Sequence, residues 1–111
     1  MSTSKTGLFD TELQNAAVMF KALGHPARLA ILNFLLQTNS CFTGDISQEI
    51  PLARTTVNQH LTELKKSGLI QGHITGIKTK YCINPLKIGE LRSLLSNLAE
   101  SLIIDINSKC E

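Results

Sequence analysis

The 111-residue sequence has no apolar run of about 18 residues or more and no basic-then-apolar leader. Neither a membrane span nor a secretory signal is therefore expected, and the cytoplasm is the default location. Histidine is sparse and scattered, at His25, His60 and His73. No nucleophile, base and carboxylate fall into a set, and no glycine loop has phosphate-cradling spacing, so an enzyme is not expected. Only 18% of the residues are charged against 42% hydrophobic, a balance that folds. The length suits one domain with a real core, small enough that a partner subunit would help it.

The net charge of +2 is unevenly distributed. From Lys21 to Lys80, seven Lys or Arg stand against three acids, whereas the two ends together carry four basic and six acidic residues. The middle is thus +4 and the ends −2, as expected of a central segment that faces a polyanion.

The stretch from Thr43 to Leu69 organises the rest. It reads as two short helices joined by a tight turn, the first capped by Thr43 and stopped by Pro51, the second running from Arg54 to about Ser67 with Gly68 as its stop. Val57, Leu61 and Leu64 lie on one face of the second helix. Arg54, Thr55, Asn58, Gln59, Thr62 and Lys65 lie on the opposite face, and these side chains suit base edges and phosphates. An ordinary amphipathic helix with a solvated face would show the same pattern, so its surroundings decide.

Residues 1–10 read as a flexible segment, 11–107 as the folded domain and 108–111 as a tail. Thr11 to Leu23 carries Leu13, Ala16, Ala17, Phe20 and Leu23 at helical spacing, with Asp10 or Thr11 as cap. Pro26 opens a second helix to about Gln37, so apolar that it should be largely buried. Cys41-Phe42 is a candidate short strand. Leu69–Ile74 and Ile77–Ile83 flank Thr75-Gly76 as a hairpin carrying His73, Lys78 and Lys80, a flap suited to a phosphate backbone. Lysine on an exposed strand also guards a sheet edge, which needs no DNA. A last helix, Leu86 to about Asn107, has Ile88, Leu91, Leu95, Leu98 and Leu102 in a seam. The seam is too long for so small a core and is expected to form a dimer interface with Leu13 and Phe20 of the first helix.

The expected fold is mainly α with a small β-hairpin, in the order α-α-β-α-α-β-β-α. With Leu23-Gly-His-Pro-Ala-Arg-Leu-Ala-Ile-Leu32, Val57-Asn-Gln-His-Leu61 and Lys66-Ser-Gly-Leu-Ile70 in that order, the chain resembles the winged helix-turn-helix repressors of the ArsR/SmtB family over about Leu13 to Pro85. The resemblance implies a homodimeric bacterial transcriptional repressor that binds double-stranded DNA at an operator with dyad symmetry and releases it when an inducer, often a metal ion or metalloid, binds. It places DNA contacts at Arg54, Thr55, Thr56, Asn58, Gln59 and His60, with Arg54 first for a guanine and Lys78 and Lys80 on phosphates. His60 is equally consistent with burial against the helix-turn-helix core, and His25 with a structural hydrogen bond at a helix start. Where the family usually has serine this chain has Ala53, which removes a cap worth about 1 kcal/mol.

The family's sensing patterns do not transfer. Phe42 and Gly44 occupy the positions of the Cys-x-Cys pair, the last helix has no histidine for a zinc site, and Asn33 stands where persulfide sensors carry cysteine. Three cysteines remain. In a winged helix the first strand pairs with the last strand of the wing, so Cys41 and Cys82 are expected to be neighbours, with Cys110 a candidate third thiolate. Such a dithiol suits As(III) or another thiophilic ion. Thiol oxidation or persulfidation on the same pair is the competitor, and small buried structural cysteines are the plainest alternative. A repressor without ligand and a winged-helix interaction module without DNA remain open as well.

Overall fold

In the computed structural model, which describes residues 7–75, 78–105 and 107, the elements follow the expected winged-helix order with one substitution. Helix α1 spans Thr11–Leu23 and begins where the Asp10 carboxylate accepts the Leu13 N–H at 2.9 Å. Helix α2, Pro26–Gln37, begins at His25, whose Nδ1 accepts the Ala27 N–H at 3.0 Å, with Pro26 in the first turn where its missing N–H costs nothing. Strand β1, Cys41–Thr43, follows.

The first helix of the expected pair is a single 3-10 turn, Ile46–Gln48, and its cap is Asp45, not Thr43, which belongs to β1. Only five residues separate Asp45 from Pro51. Proline and the restriction it places on the residue before it leave no room for α-turns. Helix α3, Arg54–Lys66, starts at Ala53 with no side-chain cap. Its end is closed by Ser67, whose hydroxyl donates to the Leu64 carbonyl at 2.7 Å, and by Gly68 at φ +84°, a left-handed position that favours glycine.

Strands β2, Ile70–Thr75, and β3, Lys78–Ile83, form the hairpin, and the sheet order is β1-β3-β2, all antiparallel. Helix α4 spans Pro85–Ser101 and ends well before the expected Asn107. The reason is local. Ile103 and Ile104 are β-branched, and the Asp105 carboxylate accepts the Asn107 N–H at 2.9 Å, a turn that competes with the helix ladder.

The core lies between α2, α3 and the inner face of the sheet. Ile31, Leu35, Leu64 and Leu69 are fully buried, joined by Ile46, Val57, Leu61 and Ile70. Helix α2 is less enclosed than its composition suggests, since Leu29 and Leu36 are 47% and 46% exposed. The seam of α4 divides. Leu91 is buried in the chain's own core and Ile88 packs against it, whereas Leu95, Leu98 and Leu102 are exposed. Among the described residues no helix is long and apolar enough to cross a membrane.

Candidate nucleic-acid interface

The burial of Val57, Leu61 and Leu64 sets the roll of α3 about its axis, so the polar side of the helix faces out. Thr55, Asn58, Gln59, Thr62 and Lys65 are exposed, and Thr56 is half-buried. The Thr62 hydroxyl donates to the Asn58 carbonyl at 2.9 Å, one turn back in its own helix, which leaves its lone pairs available to an outside donor.

Between α3 and the sheet runs an open groove of about 580 Å³, lined by Arg54, Asn58, Thr62 and Lys65 on the helix side, Thr79 and Tyr81 on the wing side, and Gly44, Asp45 and Ile46 at its end. The Lys65 stem lies across Gly72 of β2. A Cβ at that position would stand 3.2 Å from the Lys65 Nζ and 3.3 Å from its Cε, so the absent side chain is what lets the lysine lie flat there.

Arg54, the expected guanine reader, is engaged by Asp45. Its Nε and Nη2 both donate to Oδ2, at 3.1 and 2.6 Å, while the Arg54 side chain remains 71% exposed. The hydroxyl and backbone N–H of Ser47 donate to the other carboxylate oxygen at 2.5 and 3.0 Å. These donors, the Ser47 hydroxyl first and the Arg54 guanidinium next, hold the Asp45 carboxyl below its ordinary range. The carboxylate therefore stays charged, fixing the guanidinium at the mouth of the groove near the first turn of α3.

Of the two settings open to His60, its surroundings match packing against the helix-turn-helix core. It is half-buried with its ring centroid 4.2 Å from that of His25, which ties α3 to the start of α2. Burial first, then the neighbouring His25 ring and the Arg28 guanidinium, push its pKa below the ordinary value, and Glu63 opposes them. His73 and Lys80 face each other across β2 and β3, both exposed. Strand alternation puts them on the face opposite the groove, because Ile70 and Ile83 of the same strands are buried. The Lys78 side chain, at the end of β3 beside the turn, lies outside the described residues, as does Cys110.

Asp45, Thr79 and Tyr81 escaped the sequence reading. An acid nine residues before Arg54, in a loop, has no periodicity to mark it, and Thr79 and Tyr81 become wing-side lining only once the sheet register is known. Burial raises the Tyr81 pKa, so its hydroxyl keeps its proton and remains a donor. Cys41 and Cys82, expected to be neighbours, are directly opposed in the β1–β3 ladder and joined by a disulfide.

The family model described as bacterial regulatory protein, arsR family, matches residues 25–71, from the cap of α2 into β2. Over 85 residues the chain is 33% identical to the uncharacterized HTH-type transcriptional regulator MJ1325 of Methanocaldococcus jannaschii, covering 77% of this chain and 96% of that protein. Over 100 residues it is 32% identical to the cadmium resistance transcriptional regulatory protein CadC of Listeria innocua, covering 90% and 82% respectively. Among solved structures, the homodimeric winged helix-turn-helix DNA-binding domain Mb0332 of Mycobacterium bovis superposes with a TM-score of 0.62 at 27% identity, over 90% of this chain and 88% of that one. All three are named as regulators or as a DNA-binding domain, in keeping with a regulator and not an enzyme.

Proposed function

Because the chain belongs to the ArsR family of transcriptional regulators, we propose that it is a homodimeric repressor that grips a dyad-symmetric operator with α3 and the wing. The observation that carries this is the groove between α3 and β3, where Arg54, Asn58, Thr62 and Lys65 stand exposed above a helix face buried by Val57, Leu61 and Leu64. In a dimer the two recognition helices would enter successive major grooves, about 34 Å apart. Homodimerisation is supported by the exposed apolar residues Phe9, Leu13 and Phe20 beside α1 and Leu95, Leu98 and Leu102 along α4, and by the homodimeric state named for the Mb0332 domain.

Fluorescence anisotropy on promoter DNA across a salt series tests the proposal. Affinity is expected to fall steeply with salt as counterions are released. Arg54→Ala should weaken binding about 10- to 100-fold and relax sequence preference at one base pair, while Lys65→Ala should weaken all sequences alike and shallow the salt slope by about one. Flat salt dependence with Arg54→Ala unchanged would instead indicate a winged helix that docks on protein.

Reduced, Cys41 and Cys82 would offer two facing sulfurs to a thiophilic ion, while Cys110, the candidate third thiolate, lies outside the described residues.

A further inference from the structure

Cys41 and Cys82 occupy a particular kind of register position. The Ile83 N–H donates to the Ser40 carbonyl at 2.7 Å, so Ser40 and Ile83, one step beyond the three-residue ladder, pair in hydrogen-bonded fashion. One step along, Cys41 and Cys82 are then a non-hydrogen-bonded pair, the type in which facing residues come closest, about 4.5 Å between Cα atoms. Here, with the disulfide closed, the Cα atoms are 4.1 Å apart, in keeping with that close pairing.

The same alternation puts both sulfurs on the outer face of the sheet, among exposed Gln71, Thr43 and Lys80, with the core under the other face. Both cysteines are half-buried, so a small reagent can reach them. The pair is therefore neither a core filler nor shielded. A DNA-binding protein works where the thiol pool keeps such pairs reduced, which makes the dithiol the resting state and the disulfide a signal.

We propose that Cys41 and Cys82 form a reversible dithiol–disulfide site for low-molecular-weight organic disulfides, and that closing it lowers affinity for the operator. The second half of this rests on the DNA-binding function proposed above. One cysteine thiolate attacks the reagent RSSR, forming a mixed disulfide and expelling RS⁻. The facing thiolate then attacks the protein-side sulfur and expels the second RS⁻. Two protein thiols lose two protons and two electrons, and one RSSR becomes two RSH.

The output follows from what β1 leads into. Three residues after Cys41, the chain passes through Gly44 at φ +130° to Asp45, the residue that holds Arg54. With β1 bonded to β3, Asp45 is pinned relative to the wing and keeps Arg54 from the bases. With the dithiol open, β1 depends on a three-residue ladder, and Asp45 can yield the guanidinium to DNA.

The test uses the full chain, reduced, on promoter DNA, treated with glutathione disulfide and read by anisotropy and by mass mapping of disulfide-linked peptides. The expected result is a Cys41–Cys82 linked peptide, a mass lower by two hydrogens, affinity lower by about tenfold, and recovery with dithiothreitol. Cys41→Ser and Cys82→Ser should bind as the reduced protein does and stay bound in glutathione disulfide. Matching melting curves check their folding, and the double alanine variant replaces either serine variant that melts early. Unchanged affinity of the linked protein, linkage to Cys110 instead, or release by arsenite but not by glutathione disulfide would each overturn the proposal, the last in favour of a metalloid seat. If the reduced protein shows no salt-steep DNA binding, the repressor function fails and takes the affinity output with it, while the mass map still decides the thiol chemistry.

Discussion

His60 illustrates how a single side chain couples the recognition helix to the rest of the fold. Its ring lies against that of His25, whose Nδ1 is committed to the Ala27 N–H, and the titratable groups facing it are His25, Arg28 and Glu63. With its pKa held below 6.5, chiefly by burial, the folded state prefers neutral His60. As pH falls below the unfolded value, the unfolded chain binds more protons than the folded one, so stability is complete above that value and is lost on acidification. The urea midpoint should therefore drop between about pH 7 and about pH 5, and His60→Gln should flatten that drop. An unchanged slope in His60→Gln would place the titration on another group. Asp45 loses stability in the same direction but in a lower window. Its carboxyl is depressed from an already acidic 3.8, so its bond to Arg54 persists until well below the range in which His60 titrates.

At the scale of elements, α3 can be strengthened at its start. Ala53 has the extended backbone of a cap residue, φ −62° and ψ 148°, but no side-chain acceptor. Ala53→Ser supplies one and should raise stability by about 1 kcal/mol, seen as a higher denaturant midpoint with an unchanged slope. That missing cap was legible from the sequence, as were both ends of α1 and α2, because Asp10, His25 and Pro26 signal through their own backbone chemistry. The 3-10 turn was not. Its shortness follows from Pro51, but Thr43 and Asp45 are both competent caps, and only the pairing of Thr43 with Lys80 in the ladder decides between them. The end of α4 was missed because the heptad-like spacing to Leu102 is a pattern of faces, blind to the Asp105 turn that ends the helix. In the candidate site, spacing gave the exposed face of α3. It could not give Asp45 as the partner of Arg54, the turn of His60 toward His25, or the face of the wing on which Lys80 stands, since each depends on contacts between elements distant in sequence.

For the whole molecule, the decisive contrast lies within one stripe of α4. Leu91 and Leu98 fall on the same helical face, yet Leu91 is 5% exposed and Leu98 45%, because the described chain, about 59 × 37 × 26 Å, has no core beneath the last two turns. A groove of about 410 Å³ between α1 and α4, with Met19 and Leu94 in its lining, adjoins this stripe. Glutamate at the two positions should therefore do different things. Leu91→Glu buries an unpaired charge in the chain's own core and should unfold it. Leu98→Glu puts the charge where the monomer already meets water, so the fold should survive, with far-UV circular dichroism unchanged and sedimentation reporting a monomer. Such a monomer should still bind a half-site through α3 and the wing, but lose the advantage of the full operator, because two half-sites gain their combined affinity only when one dimer links them. If Leu98→Glu remained a dimer with full operator affinity, the exposed end of α4 would have to be covered by something other than a second copy, and the spacing of the two recognition helices would have to be set elsewhere.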